Sequence, residues 1–204
     1  MEMKLLVLSP ENTFADENEI IKILFDEGLE YFHVRKPSYS KEQLSAYIEK
    51  IPPEYHPKMV LHTHHELTEL FEIGGIHYNK RAPESEVKSG NFSCSISYHS
   101  LNELRASGEK YNYVFLSPVF NSISKEGYKA NQELGQLKEF LKKTTTLNFP
   151  PIIALGGINE NNIETCAQMG FNGVAVLGAV WKNDSSKAVI KKFKTLQNLC
   201  KRNS

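Results

Sequence analysis

Cysteine is scarce, with only Cys94, Cys166 and Cys200 in 204 residues. An odd set without CxxC spacing excludes a disulfide framework and indicates reduced thiols. Net charge is lacking too, because 24 Lys plus Arg balance 24 Asp plus Glu, so no overall field draws the chain to nucleic acid or to an acidic membrane surface. Any anion site must therefore be local. No run approaches the roughly 20 apolar residues of a membrane-spanning helix, and the amino-terminal MEMKLLVLSPE has too short an apolar stretch for a signal peptide. A cytoplasmic protein with no membrane or nucleic-acid partner is expected. No linker, internal repeat or low-complexity tract divides residues 1–204, and the 40% hydrophobic content suits one globular domain.

Short β-type runs alternate with amphipathic segments from end to end. The runs are Leu5–Leu8, Tyr31–Arg35, Met59–His62, Gly75–Tyr78, Ser93–Ser97, Tyr113–Leu116, Ile152–Leu155 and Val174–Leu177. Between them lie helical patterns at Glu17–Asp26, Lys41–Ile51, His65–Ile73, Leu101–Ser107, Leu134–Lys143, Glu160–Met169 and Ser186–Leu199. Eight such repeats predict an α/β fold, a single (β/α)8 TIM barrel with its site at the carboxyl ends of the strands. An open doubly wound sheet is the rival, but its glycine fingerprint after the first strand is replaced by Ser9-Pro10-Glu11. Lys80–Asn91 and Asn121–Gln132 are polar connections, and the second is expected to be a mobile loop beside the site.

The span Pro151–Gly178 carries the clearest binding signal. Two apolar runs end in glycine, the first at Gly156-Gly157 and the second, after Leu177, at Gly178. Asn159 is placed to cap the intervening helix and Gly170 to end it. Glycine at the ends of neighbouring parallel strands lets an anion approach bare backbone N–H groups, although Gly156-Gly157 also suits a plain tight turn.

Other strand-end polar residues complete the candidate list: His33, Arg35 and Lys36; His62; His77 and Asn79; Ser97 and His99; and Ser117, Ser122, Ser124 and Lys125. His33 and Arg35 share one strand face. His62, His64 and His65 lack the spacing of a helical zinc site, so no metal site is assigned, and His64-His65 is expected to be an exposed helix start. Ser100 and Glu103 fit a capping box behind His99.

With these residues in place, the chain resembles the thiamine-phosphate synthase and TenI-type thiazole tautomerase family over nearly its whole length. The resemblance rests on the order of YFHVRK (Tyr31–Lys36), GIH (Gly75–His77), SYHSLNE (from Ser97), YVFLSPVFNSISK (Tyr113–Lys125), ALGGI (Ala154–Ile158) and GVAVLGAV (Gly173–Val180). It implies a (β/α)8 barrel and an enzyme of thiamine biosynthesis that joins a pyrimidine pyrophosphate to a thiazole phosphate. By position it implies that Arg35 and Lys125 hold pyrophosphate with help from Ser97 and Ser122, and Ser124 is a further substrate-binding candidate beside them. Gly156, Gly157, Leu177 and Gly178 would meet the thiazole phosphate, and if the chain instead isomerises a thiazole, His33, His62 or His99 are the candidate proton carriers.

The resemblance has departures. The synthase pattern has Asn-Asp, the aspartate binding magnesium, where this chain has His62-Thr63, and a second metal-binding aspartate near Arg81-Ala82. Pro37 replaces a lysine, with Lys36 adjacent to substitute for it. No cofactor is assigned: magnesium is the family's ion, but its usual carboxylate ligands are absent. The tautomerase histidine is replaced by Pro118. Synthase is the leading expectation; a TenI-type tautomerase and a non-catalytic thiazole-phosphate or thiamine-phosphate binder stay open. The expected partners are phosphorylated thiazole and pyrimidine small molecules, with a homo-oligomer allowed. Gly178→Asp, which sets a carboxylate against the phosphate, is expected to abolish thiazole-phosphate binding in calorimetry; unchanged binding would show that the cup lies elsewhere.

Overall fold

The computed structural model describes residues 3–79, 90–106, 110–120, 128–144, 149–182 and 185–203, with side chains of the 128–144 helix from residue 134 onward. Eight parallel strands follow one another around a closed barrel in chain order. They are β1 (Lys4–Leu8), β2 (Tyr31–Val34), β3 (Met59–Leu61), β4 (Gly75–Tyr78), β5 (Ser93–Tyr98), β6 (Tyr113–Leu116), β7 (Ile152–Leu155) and β8 (Gly173–Val176). Helices α1 (Glu17–Asp26), α2 (Lys41–Ile48), α3 (Leu67–Phe71), α4 (Leu101–Ala106), α5 (Tyr128–Thr144), α6 (Ile163–Met169), α7 (Gly178–Trp181) and α8 (Ser186–Arg202) alternate with them. The expected (β/α)8 barrel is what forms. The central residues of most strands are buried on both faces, which is why the runs read as continuously apolar and not as alternating. Among the described residues no helix is long and apolar enough to cross a membrane.

Local chemistry sets the element ends. A reciprocal capping box, in which Ser40 and Gln43 each bond the other's backbone, starts α2. That helix stops at Ile48, short of the expected Ile51, because Pro52 and a 3-10 turn at Pro53–Lys58 follow. Helix α3 is shorter than the His65–Ile73 pattern, and left-handed residues lie at either side of it, His64 (φ 52) and Glu72 (φ 54). Helix α6 starts at Ile163 and not at Glu160, since Asn159 and Asn162 bond each other's segment first: Asn162 Oδ1 accepts from the Asn159 N–H at 2.9 Å, and Asn159 Oδ1 from Asn161. Asn159 therefore shapes the preceding turn and does not cap the helix. Gly170 ends α6 as expected, at φ 100, with its N–H and that of Phe171 returning to Cys166. Of the polar segment Asn121–Gln132, residues 128–132 already belong to α5. Residues 121–127 of that segment and residues 80–89 lie outside the described residues.

The chain gathers into two compact units. One comprises Met1–Leu5, Ile96–Val176 and Thr195–Ser204, the other Leu6–Ser95 and Leu177–Lys194. In the first, β6, β7 and β8 pair in register, Phe115 with Ile153 and Ile153 with Gly173, over a core that includes Leu141, Ile163 and Cys166. In the second, Ile20, Ile21, Leu24 and Phe25 of α1 are buried, and Phe25 meets Phe32 of β2 edge-on at 6.1 Å. Trp181 packs edge-on against Phe32 and Phe14, and its indole N–H donates to the Leu8 carbonyl at 2.6 Å.

The same unit buries an ion pair. Lys36 Nζ lies 2.9 and 3.1 Å from the two oxygens of Glu17, whose carboxylate also accepts the Tyr47 hydroxyl proton at 2.6 Å. The ammonium sits 4.9 Å from the centre of the Tyr47 ring. Burial pulls the Lys36 pKa down, opposed by the hydrogen bond and charge of Glu17, while burial and that same carboxylate hold the Tyr47 phenol well above its usual range. Removing one charge strands the other in the interior. Glu17→Gln is expected to cost about 3–5 kcal/mol in urea unfolding, whereas the double variant Glu17→Leu with Lys36→Met should recover most of that loss.

Candidate functional site

Strands β2 to β4 bring three histidines together. The register sets His33 opposite Val60, and His62 follows β3 two residues further on the same face. His33 Nδ1 lies 3.0 Å from His62 Nε2. The His62 and His77 rings stack at 4.3 Å, and one nitrogen from each of the three histidines lies within 4.8 Å of the others. Ser95 fixes the third ring: its hydroxyl donates to the Ile76 carbonyl and accepts from His77 Nδ1 at 2.8 Å, which leaves the lone pair on Nε2. Asn79 donates its side-chain amide to the backbone carbonyls of both His62 and His77.

All three rings are buried. Desolvation is the main reason that each pKa falls, with neighbouring histidines adding to it; His33 and His62 lie well below the ordinary range and His77 is pushed down to about 3. The cluster is therefore neutral at pH 7. His33 and His77 were legible as strand-end residues, but Ser95 was missed, although alternation along Ser93-Cys94-Ser95-Ile96-Ser97 puts three serines on one face. His62 joins these two and not its sequence neighbours. His64 Nε2 reaches the Tyr39 carbonyl at 2.9 Å, and His65 is buried against Tyr78, contrary to the expected exposed helix start.

The cations of β2 part company. Arg35 is half-exposed at the strand's carboxyl end; its guanidinium pairs with Glu11 and its backbone N–H donates to Ser9 Oγ at 2.8 Å. Lys36 points the other way, into the Glu17 pair. It cannot stand in for the lysine that Pro37 replaces, which corrects that expectation.

In the other unit, His99, Ser117, Pro118 and the glycine turn form one patch. His99 is exposed, and its Nδ1 donates to the Ser117 carbonyl at 2.8 Å. Its backbone N–H donates to Glu103, while the Glu103 N–H donates to Ser100 Oγ at 3.1 Å, so the expected cap forms with His99 as the reciprocal donor. Gly156 and Gly157 both take left-handed φ, 95 and 74. A Cβ on Gly156 would lie 2.8 Å from Pro118 Cα, and the Gly156 carbonyl accepts from the Phe120 N–H. The tight-turn reading of Gly156 thus holds in full, and it presents the turn's backbone beside the carboxyl end of β6. Ser97 is half-buried in β5. Leu177 and Gly178 belong to the unit of the histidine cluster and open α7, where the Leu177 carbonyl accepts from the Val180 and Trp181 N–H groups. A Cβ on Gly178 would meet only the Lys182 side chain, no closer than 3.4 Å, so a substitution there is tolerated by the backbone. Ser122, Ser124 and Lys125 lie outside the described residues.

Magnesium requires hard oxygen ligands in near-octahedral geometry. The histidine cluster offers three imidazole nitrogens, and positions 62–63 carry no carboxylate. These residues do not fit that ion.

A closed parallel barrel of this length, with polar groups at the carboxyl ends of its strands, belongs to the class of (β/α)8 enzymes. The family described as thiamine monophosphate synthase matches residues 5–180. A thiamine-phosphate synthase of Oceanobacillus iheyensis is 25% identical over 194 residues, covering 90% of this chain and 93% of that protein. A thiamine phosphate pyrophosphorylase from Bacteroides thetaiotaomicron has a solved structure with 34% identity, TM-score 0.81 and 97% coverage of both chains. The corresponding structure from Pyrococcus furiosus shares the fold, with TM-score 0.78 at 18% identity and coverage of 98% and 96%. The chain belongs to the thiamine monophosphate synthase/TenI family, as its ordered motifs implied, and is a synthase-like transferase of that family.

Two outcomes are expected from this geometry. The unfolded chain protonates its histidines near pH 6.5 while folded His77 resists until about 3, so stability is full above about pH 6.5 and falls as pH drops through that window. The melting temperature should decline accordingly, and His77→Gln should flatten the slope. Gly156→Ala, forced into left-handed φ against Pro118, should lose about 1–3 kcal/mol in denaturant unfolding.

Proposed function

We propose that this chain joins hydroxymethylpyrimidine pyrophosphate to thiazole phosphate, giving thiamine phosphate and pyrophosphate. The observation that carries the proposal is the family match over residues 5–180, which spans every motif from β1 to α7. The 34% identity to the Bacteroides pyrophosphorylase supports it. In this reading Arg35 and Lys125 hold the pyrophosphate, with Ser97, Ser122 and Ser124 assisting. Arg35 has the exposure this needs, and an incoming anion competes with Glu11 for its guanidinium. Gly157 and Gly178 offer backbone amides to the thiazole phosphate. As pyrophosphate departs, positive charge on the pyrimidine methylene is quenched by attack of the thiazole nitrogen, so the protein's work is orientation and charge stabilisation. A cytoplasmic location belongs to the same reading, in keeping with three free cysteines.

One observation favours a second reading, a binder of thiazole phosphate or thiamine phosphate that has lost turnover. Where the family carries a magnesium aspartate this chain carries Thr63, next to a His62 committed to the buried cluster. The tautomerase alternative has Pro118 in the position of its base, and no observation favours it. Purified protein given both substrates should release pyrophosphate, and Arg35→Ala should lower kcat/KM by roughly 10- to 100-fold through loss of a charged hydrogen bond. Tight calorimetric binding of thiazole phosphate with no pyrophosphate released would leave the binder standing and remove the synthase.

A further inference from the structure

We infer that His33, His62 and His77 form a binding site for one late first-row divalent metal ion, of the class of Zn2+ or Co2+. Three observations carry this beyond a chance gathering of rings. First, one nitrogen from each side chain already lies within 4.8 Å of the other two, and the His33–His62 pair is at 3.0 Å. Zinc–nitrogen bonds of about 2.0–2.1 Å place tetrahedral ligand atoms about 3.4 Å apart, so ring movements of about 1 Å close the set. Second, the ring of His77 is held from behind: Ser95 accepts its Nδ1–H and thereby selects Nε2 as the ligand atom, the outer contact that histidine ligands of metals commonly have. Asn79 ties together the backbone carbonyls of His62 and His77 and so fixes the spacing of two ligands. Third, the cluster is buried, with none of the three rings more than slightly exposed. A neutral imidazole is the form that binds metal, and burial holds all three in that form at neutral pH.

The donor set selects the metal. Three imidazoles suit zinc, cobalt, nickel or copper and do not suit magnesium or calcium. Three protein ligands leave a fourth position open, and no carboxylate offsets the ion's double charge within the cluster. A small anionic oxygen ligand such as hydroxide is the fourth ligand that offsets part of it. The ligand set includes neither Arg35 nor Lys125, and it does not rest on the synthase reading.

The test uses tag-free full-length protein. Dialysis against Co2+ should leave one equivalent bound, with the visible d–d bands of four-coordinate cobalt, and Zn2+ should displace it. X-ray absorption should count three imidazole nitrogens. His62→Gln should abolish the bands, Ser95→Ala should weaken binding by about 10- to 100-fold, and His64→Gln, outside the cluster, should leave binding unchanged. Absence of binding by the unaltered protein, oxygen-only coordination, or equal binding by a folded His62→Gln variant would overturn the assignment. If the histidine variants do not fold, the coordination spectrum of the unaltered protein decides alone. None of these readouts involves turnover, so this site and the synthase reading fail separately.

Discussion

The two-residue alternation of a strand inside a closed parallel sheet governs where each polar side chain in β2 and just beyond it ends up. Phe32 and Lys36 face the helices, where Phe32 meets Phe25 and Lys36 meets Glu17 and Tyr47. His33 faces the other way and meets His62 and His77. Arg35, at the end of the strand, keeps its guanidinium within reach of solvent and Glu11. A one-residue slip would turn His33 and Arg35 toward the helices and Phe32 and Lys36 toward the barrel interior, so the register that seats the core also seats the chemistry.

That constraint explains two features of the polar interior. The ion pair beneath α1 and α2 is satisfied on every side by Glu17 and Tyr47, and Lys36 is thereby taken out of service as a ligand for substrate. The histidine layer is satisfied differently, through a shared ring–ring bond and through Ser95 and Asn79. Both arrangements place polar atoms where an apolar side chain would pack, and both therefore require a matched partner in the folded state. Their chemistry also departs from that of a magnesium-dependent site, since nitrogen donors and a committed lysine stand where the family pattern has oxygen donors and a second free cation.

Much of the fold was legible because barrel strands buried on both faces announce themselves as short apolar runs. β4, β6 and β7 match the expected runs in full, and the others shift by one residue at one end or, for β8, at both. Helix ends were less legible. Pro52, the left-handed His64 and Glu72, and the mutual bonding of Asn159 and Asn162 trim helices whose periodic pattern runs further. The site was legible in part: glycine punctuation located the β7 turn, and strand-end position picked out His33, Arg35, His77 and His99. Grouping failed where it depended on space. His62 was weighed with His64 and His65, because adjacency is all that a sequence displays, and Ser95 went unnoticed because alternation groups it with Ser93 and Ser97 but does not say which of the three meets a histidine.

The amino-acid sequence by itself determined the repeat of strand and helix, the lack of an apolar run long enough for a membrane-spanning helix, and the family, because hydrophobic periodicity and ordered motifs are properties of the chain read in order. Only the tertiary structure decided which polar residues meet. His33, His62 and His77 are separated by 29 and 15 positions in the chain, yet neighbouring strands lie about 5 Å apart, so the ladder register brings their rings into contact. It likewise decided that Lys36 is structural and Arg35 accessible, because the face on which a residue stands depends on pairing and not on its neighbours in sequence.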